Sequence, residues 1–137
     1  MNESYVFLDS TRRTPQIIQH QVIKAFAINK NLNISFYGAE FIGLESRHNQ
    51  LMSYIEASLS KHYIFYSVEQ FFNESIGYDF TLIKQALLSD TKFYFAVENR
   101  SILSLIDLQM LIKECQISFI NQTNRERDDL IAYNEIS

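Results

Sequence analysis

Three glutamates have the residue type and spacing best suited to acid–base chemistry in this chain. Glu40, Glu69 and Glu98 each follow a short apolar run of strand-forming residues by one to three positions. Carboxylates that come together can share a proton, which raises the pKa of one of them into a range suited to general acid–base catalysis. The same groups could instead bind a divalent cation or neutralise nearby arginines, and these alternatives stay open.

A polar loop after the first apolar run is the second candidate for chemistry. Arg12 and Arg13 stand immediately before an amphipathic segment. A helix dipole disfavours cations at such a position unless an anion or a carboxylate is bound there. Two guanidinium groups with free backbone N–H groups would hold a phosphate or a carboxylate, whereas the alternative is a structural network with the three glutamates. Ser10 is a candidate nucleophile, although no histidine stands near it in sequence. The candidate catalytic residues are Glu40, Glu69, Glu98 and Ser10.

Amide and hydroxyl side chains complete the candidate site. Gln16 and Gln19 fall early in the amphipathic segment, where an amide hydrogen-bonds a sugar or a nucleotide or is simply solvated. Ser67 and Gln70 follow the third apolar run. The loop before the helix contains no glycine, which argues against a P-loop or a Rossmann phosphate turn. The candidate substrate-binding residues are Arg12, Arg13, Gln16, Gln19, Ser67 and Gln70.

The histidines and the cysteine lack the spacing of a metal site. His20, His48 and His62 fall on predicted helices or at a helix–strand junction, so we expect them at the surface or at the boundary of the core. Cys115 stands in an apolar stretch and is expected to be a buried structural thiol. We assign no metal ligand, and the cofactor, if the protein has one, is unknown.

The order of the elements explains why the candidate residues should meet. Apolar runs typical of strands alternate with amphipathic segments typical of helices. Thr14 is expected to be the N-cap of the first helix, with Pro15 at its first position. The predicted strands cover residues 5–8, 34–37, 63–66 and 92–97, with a possible fifth strand at 116–120. The predicted helices cover residues 15–30, 47–60, 78–89 and 102–115.

This alternation predicts an α/β fold of three layers with a mostly parallel sheet of four or five strands and helices on both faces. The expected layout is flavodoxin-like or resolvase-like, with strand order 2-1-3-4. Right-handed crossovers place the carboxyl ends of parallel strands at one edge, where open α/β sheets bind ligands. We expect a single domain over residues 1–120, followed by a polar tail or a short terminal helix over 121–137.

Composition excludes several classes of protein. The chain has 137 residues, of which 47% are hydrophobic and 20% charged, so it has enough apolar surface to fold and is neither disordered nor of low complexity. A formal net charge of −4 gives no reason to expect a nucleic-acid partner. No apolar stretch of about 18 residues is present, so we expect no membrane insertion. The polar start lacks the features of a signal peptide, and we expect a cytoplasmic protein.

The predicted helix over 102–115 is apolar nearly all round, which indicates burial on more than one side. In a domain of this size, a subunit interface is a natural place for such a helix, and we therefore expect a homodimer. The alternative is that the helix covers one face of the sheet and lies beneath the C-terminal tail.

Four segments resemble one family of proteins. Arg13-Thr-Pro-Gln-Ile-Ile-Gln19 follows an opening strand at 5–8, and Gly38-Ala-Glu-Phe41 resembles the segment at the end of that family's second strand. Two further segments resemble the ends of the family's third and fourth strands. They are Ile64-Phe-Tyr-Ser-Val-Glu-Gln-Phe71 and Phe95-Ala-Val-Glu98. Over residues 5–100, the order of these segments resembles the sporadic carbohydrate cluster proteins of bacterial surface-polysaccharide loci.

The resemblance implies a biological context more than a reaction. It implies a role in the biosynthesis of lipopolysaccharide, O-antigen or capsule, in which the protein acts on or binds an anionic sugar that is nucleotide-linked or phosphorylated. The alternative is a non-catalytic binding or assembly module that regulates a glycosyltransferase or a sugar-modifying enzyme. Whether the protein is an enzyme is left open at this point.

A weaker likeness, at the level of the fold, is to the catalytic domain of serine recombinases. Those domains also open with a strand, a serine loop and a helix that bears glutamine, and Ser10, Gln19 and Arg47 fit that plan. Their later Asp/Arg cluster is replaced here by Ser67-Val-Glu-Gln70. The likeness therefore implies a similar fold without implying recombination.

Overall fold

A mostly parallel sheet organises the chain. The computed structural model describes residues 2–11, 14–40, 48–73 and 75–117. No helix within these ranges is both long and apolar enough to cross a membrane. In chain order the elements are β1 (Asn2–Asp9), α1 (Gln16–Asn29), β2 (Leu32–Glu40), α2 (Asn49–Glu56), β3 (His62–Phe65), a 3₁₀ helix (Val68–Phe71), β4 (Phe72–Asn73), β5 (Gly77–Tyr78), α3 (Thr81–Leu87), β6 (Lys92–Phe95), β7 (Arg100–Ile102) and α4 (105–117).

The central sheet has the strand order β2-β1-β3-β6-β7. The first four of these strands are parallel, whereas β7 runs antiparallel to β6. The predicted order of the four parallel strands is therefore confirmed, with β6 as the fourth. From β1 the chain continues to β2 on one side of the sheet, and from β3 it continues to β6 on the other side. β1 and β3 therefore flank the switch in strand order. Loops after these two strands border the crevice in which open α/β sheets bind ligands.

Alternation along the strands builds two hydrophobic layers. Phe7, Phe65 and Phe93 point to one face of the sheet and pack against residues of α2, α3 and α4. Val6 and Ile64 point to the other face, which α1 covers. Uninterrupted apolar strands are what a sheet covered on both faces requires. The predicted three-layer α/β architecture is confirmed, with one helix on one face and three on the other.

The fifth strand lies elsewhere than predicted. Residues 116 and 117 continue α4, and residues 118–120 lie outside the described ranges, as does the predicted tail over 121–137. The additional strand is β7, which pairs with β6 through a tight turn in which Asn99 adopts a positive φ of 51°. Asparagine tolerates this left-handed conformation better than most residues. A three-residue strand leaves too short an apolar pattern to be read from sequence.

Several helix boundaries also differ from expectation. Pro15 is the N-cap residue of α1 and makes no side-chain capping hydrogen bond, so the prediction of Thr14 as the N-cap is wrong. α2 and α3 are shorter than the segments predicted for them. A hairpin of β4 and β5, joined antiparallel, occupies the chain before α3 where no strand was predicted. Gly77 in this hairpin has a φ of 87°, a conformation that favours glycine.

α4 is buried along one side only within the described chain. Leu108, Leu111 and Cys115 face the sheet, whereas Ile106 and Met110 are exposed. Burial on more than one side, as the apolar sequence predicted, is therefore not found among the described residues. Cys115 is buried as expected, and burial raises the pKa of its thiol to about 11.

Candidate functional site

The loop after β1 is joined to the end of β2 at the carboxyl edge of the sheet. Asp9 and Glu40 are opposite one another in the register of β1 and β2. One residue further on, Ser10 donates to the carbonyl oxygen of Glu40 from both its amide (2.9 Å) and its hydroxyl (3.0 Å). Ser10 is nevertheless exposed. Ser10 therefore lies at the surface at the start of the β1–α1 loop (residues 10–15), with its hydroxyl bonded to the end of β2.

Two buried side chains are bonded to the described ends of the β1–α1 loop. The carboxylate of Asp9 accepts hydrogen bonds from both the amide and the hydroxyl of Thr11. Gln19 is fully buried, and its amide nitrogen donates to the carbonyl oxygens of Asp9 (3.2 Å) and Thr14 (2.9 Å). Gln19 thus joins the end of β1 to Thr14, whereas Gln16 is exposed at the start of α1. Arg12 and Arg13 lie outside the described residues.

Glu98 is joined to the loop that follows β3. One oxygen of its carboxylate accepts from the hydroxyl of Ser67 (2.8 Å), and the other accepts from the amide of Val68 (3.0 Å). The hydroxyl of Ser67 also accepts from the amide of Glu69, which caps the 3₁₀ helix. The structure therefore brings the predicted residues Ser67 and Glu98 together. Both side chains hydrogen-bond the first amides of the 3₁₀ helix that follows β3.

Gln70 connects the same turn to the centre of the sheet. Its side-chain oxygen accepts from the amides of Tyr66 (2.8 Å) and Ser67 (3.2 Å), and its nitrogen donates to the carbonyl oxygen of Phe7 (3.1 Å). Gln70 is fully buried. Because Phe7 belongs to β1, this side chain ties together the two strands on either side of the switch in strand order.

Glu69 is hydrogen-bonded to a different part of the protein from the other two glutamates. It is exposed, and its carboxylate accepts a hydrogen bond from the hydroxyl of Tyr78 in the β4–β5 hairpin. Burial and the neighbouring Glu69 raise the pKa of Tyr78 well above its ordinary value, so this hydroxyl stays protonated. The pair fastens the hairpin to the 3₁₀ helix.

Glu40 faces the start of α2 and a buried histidine. One of its carboxylate oxygens accepts from the amide of Gln50 (2.6 Å), and the other lies 4.0 Å from Nδ1 of His48 and accepts no hydrogen bond within the described residues. Burial raises the pKa of Glu40, although the amides of Gln50 and Leu51 partly oppose this rise. A buried carboxyl with a raised pKa is the property that acid–base chemistry needs.

His48 is the residue of this region that sequence reasoning missed. The expectation of a surface or boundary histidine is wrong, because His48 is only 7% exposed. Its Nε2 donates to the carbonyl oxygen of Gln70 (2.8 Å), and burial lowers its pKa to about 4. His48 is therefore neutral at pH 7. Its place in the first turn of the helix predicted over 47–60 gave no sign of burial, because the contact with Gln70 spans 22 residues of chain.

The three glutamates have three different sets of partners. Glu98 holds the turn after β3, Glu69 holds the hairpin, and Glu40 is bonded at the start of α2 beside His48. Glu40 alone has a carboxylate oxygen that is buried and without a hydrogen bond among the described residues. No group of three or more His, Cys, Asp or Glu side chains that could hold a metal ion is present in the described ranges. The chemistry available at this edge therefore centres on Ser10, Glu40 and the β1–α1 loop.

Comparison with known proteins shows the fold. No family model matches the sequence, and no curated protein matches it. The crystal structure of the N-terminal catalytic domain of TP901-1 integrase is similar, with a TM-score of 0.55 and 15% sequence identity over 90% of this chain and 97% of that chain. At this identity the likeness concerns the fold alone. The expected likeness to the serine recombinase catalytic domain is confirmed to that extent, and the resemblance to the sporadic carbohydrate cluster proteins stays a prediction.

Proposed function

We propose that this protein binds a phosphorylated or nucleotide-linked sugar at the β1–α1 loop and acts in the biosynthesis of a bacterial surface polysaccharide. The observation that carries the proposal is the exposed position of Ser10 at the start of a loop whose described ends, at Thr11 and Thr14, are bonded to Asp9 and Gln19 beside the start of α1. The first amides of a helix have no acceptor within it. Pro15, the N-cap residue, offers no side-chain acceptor, and Ile18 donates to the carbonyl oxygen of Pro15, so a bound anion would accept from the amides of Gln16 and Ile17.

Sequence supplies the positive charge that this site needs. Arg12 and Arg13 belong to the same loop, and guanidinium groups bind phosphate oxygens strongly. Gln16 is exposed in the first turn of α1 and offers an amide to a sugar hydroxyl. Gln19, Ser67 and Gln70 use their polar atoms within the protein, so their part in this proposal is to position the two loops.

Glu40 is the group we assign to proton transfer if the protein is an enzyme. Its pKa is raised by burial, and its main chain holds Ser10. Glu69 and Glu98 are bonded to Tyr78 and Ser67, so we assign them a structural part. The anion-binding part of the proposal does not depend on this assignment.

Thermal unfolding against a panel of ligands tests the proposal. The panel contains nucleotide sugars, sugar phosphates, inorganic phosphate and a short DNA duplex, each with and without Mg²⁺. A ligand at a hundredfold excess over its Kd adds about 2.7 kcal/mol to the stability of the protein. We expect a selective shift with a sugar ligand that disappears in Arg12→Ala and Arg13→Ala. Lys84→Ala, which removes an exposed cation on α3, is the matched control and should keep the shift.

Two outcomes would contradict the proposal. Arginine variants that keep the full shift would show that the anion lies elsewhere. A shift with the DNA duplex and none with any sugar ligand would replace the proposal with a nucleic-acid function, in keeping with the structural similarity to the catalytic domain of an integrase.

The outer side of α4 favours a second candidate, a non-catalytic module that assembles with a partner. Ile106, Met110 and Ile117 are each more than half exposed, and helical geometry places them along the side opposite the buried Leu108. A row of large exposed apolar side chains marks an interaction site in many proteins, and a second copy of this chain is the expected partner. Sedimentation that shows a monomer at high concentration, for the wild type and for Met110→Glu alike, would contradict the dimer. A dimer that Met110→Glu dissociates would support it.

A further inference from the structure

β2 forms one edge of the central sheet, and it lacks most of the features with which proteins protect such an edge. It is nine residues long, and residues 32–39 include neither a charged residue nor a proline. Edge strands are usually kept short or carry charges, proline or a bulge. β2 has one irregularity, a register shift opposite Ser4 and Tyr5 that leaves Ser35 as an extra residue. Beyond it, residues 36–40 pair regularly with β1 and leave a regular outer edge.

The opposite edge of the sheet is better protected. β7 has only three residues, and its Arg100 forms an ion pair with Glu114 of α4. A strand that is short and charged offers little to an incoming strand. The contrast favours β2 as the edge at which another strand pairs.

The backbone groups on the outer side of β2 can be identified from its pairing with β1. The carbonyl oxygen of Glu40 accepts a hydrogen bond from the amide of Ser10, so the backbone of Glu40 faces β1. Successive residues of a strand present their amide and carbonyl groups to opposite edges. Tyr37 and Ala39 therefore present theirs away from β1. Both residues are exposed, and these outward groups form no hydrogen bond with any of the described residues.

We infer that β2 pairs antiparallel with β2 of a second copy of this chain, across a two-fold axis at Gly38, so that the two sheets become one. This axis sets Tyr37 opposite Ala39 of the partner subunit. Each of the two such pairs exchanges both of its N–H···O bonds, and Gly38 meets its own copy in the intervening pair, which has none. The inference does not depend on the sugar-binding function proposed above.

A second copy suits this edge because β2 is complementary to itself. The same outward groups serve as donors and acceptors in both subunits, as a two-fold dimer requires. Glu40 comes opposite Phe36 of the partner subunit, so no like charges face each other. Tyr37 is 42% exposed in the single chain, and its ring would be covered beside the small Ala39 of the partner subunit. Such a pair of a large and a small side chain fits between adjacent strands.

Sedimentation over a concentration series tests the pairing through the dissociation constant of the dimer. Ala39→Pro removes an outward N–H that the pairing with β1 does not use, a change that an edge strand tolerates. Ala39→Lys introduces a charge near the axis in each subunit. We expect each variant to raise the dissociation constant by about tenfold or more, because hydrogen bonds are lost from both subunits. Ala25→Lys, the same exchange at an exposed position of α1, is the control and should leave the constant unchanged.

Hydrogen exchange of the wild type locates the interface directly. We expect the amides of Tyr37 and Ala39 to be protected in the dimer and to lose this protection on dilution. The amide of Gly38, which faces β1, should stay protected in both states. Met110→Glu should leave this pattern unchanged, because α4 is bonded to β7 at the other edge of the sheet.

Two outcomes would overturn the inference. The first is a wild type that remains a monomer at high concentration. The second is a dimer in which the amides of Tyr37 and Ala39 exchange as fast as in the monomer, since its interface would then lie elsewhere, such as on the outer side of α4. If both Ala39 variants fail to fold, the exchange pattern of the wild type still decides between these outcomes and the expected one.

Discussion

The carboxylate of Glu98, just beyond β6, accepts a hydrogen bond of 2.8 Å from the hydroxyl of Ser67, just beyond β3. The same carboxylate accepts from the amide of Val68. It therefore supplies a hydrogen-bond acceptor to the first amide of the 3₁₀ helix, which has no acceptor within the helix. Two neighbouring parallel strands are in this way fastened to each other beyond the point where their ladder ends. The contact gives Glu98 a structural purpose that its sequence position alone does not reveal.

Removal of either partner of this contact should lower stability. We expect Ser67→Ala and Glu98→Ala each to reduce the free energy of unfolding by about 1–3 kcal/mol, because each leaves a partly buried polar group without its partner. The double variant should lose less than the sum of the two, since the contact can be lost only once. Urea unfolding measures all three. Ser53→Ala, an exposed serine on α2, is the control, and additive losses would show that the two residues act independently.

Gly38 should not tolerate a side chain. A Cβ atom at this position would lie 3.0 Å from Cε1 of Phe36 and 3.1 Å from Oε1 of Gln50. We expect Gly38→Ala to lower the free energy of unfolding by about 1–3 kcal/mol through this crowding. In Gly77→Ala, no atom of the described residues lies within 4 Å of the new Cβ, but the positive φ should cost about 1–2 kcal/mol. Unfolding experiments combined with crystal structures of both variants would separate displaced neighbours from a strained backbone.

Stability should fall as the pH falls from 6.5 to 4. Burial lowers the pKa of His48 from 6.5 to about 4, so in this interval the unfolded chain binds a proton that the folded protein does not. Integrated over the interval, this difference is worth about 3 kcal/mol. We expect His48→Gln to have a flatter pH dependence than the wild type in urea unfolding. An unchanged slope would show that His48 does not control it.

Glu40 acts in the opposite direction. Its raised pKa makes the folded state hold a proton more firmly than the unfolded chain does. Its contribution is fully present below pH 4.5 and is lost as the pH rises through its folded pKa. Glu40→Gln removes this contribution and should make the loss of stability between pH 6.5 and 4 steeper than in the wild type. A shallower loss would reverse the sign that we assign to Glu40.

Gln16 and Gln19 should separate binding from stability. Gln19→Ala leaves the buried carbonyl oxygen of Asp9 and the partly buried one of Thr14 without this donor, and we expect a loss of about 1–3 kcal/mol in the free energy of unfolding. Gln16→Ala changes an exposed side chain and should alter stability by less than about 0.5 kcal/mol. Under the proposed function, Gln16→Ala weakens ligand binding. Titration and unfolding of both variants test this contrast, and a stability loss confined to Gln16→Ala would contradict it.

The sequence by itself determined the framework of this protein. Runs such as residues 63–66 are apolar without interruption, and only a strand covered on both faces buries every side chain of such a run. Their alternation with amphipathic segments leaves few layouts other than a parallel sheet, because parallel neighbours need helical crossovers. The expected order of the four parallel strands came from the flavodoxin-like layout that this alternation favours, and the common edge for Ser10, Glu40, Ser67, Gln70 and Glu98 follows from parallel strands with right-handed crossovers.

Tertiary structure alone decided what each polar residue does. Glu40, Glu69 and Glu98 each come within three residues of the end of a predicted strand, yet one faces His48, one a tyrosine of the hairpin and one Ser67. Each of these partners is brought near by the packing of separate elements, and hydrogen bonding depends on distances that no local pattern encodes. The burial of His48 and the pairing of β7 have the same cause. Contacts over long stretches of chain exist only once the sheet and its helices have assembled.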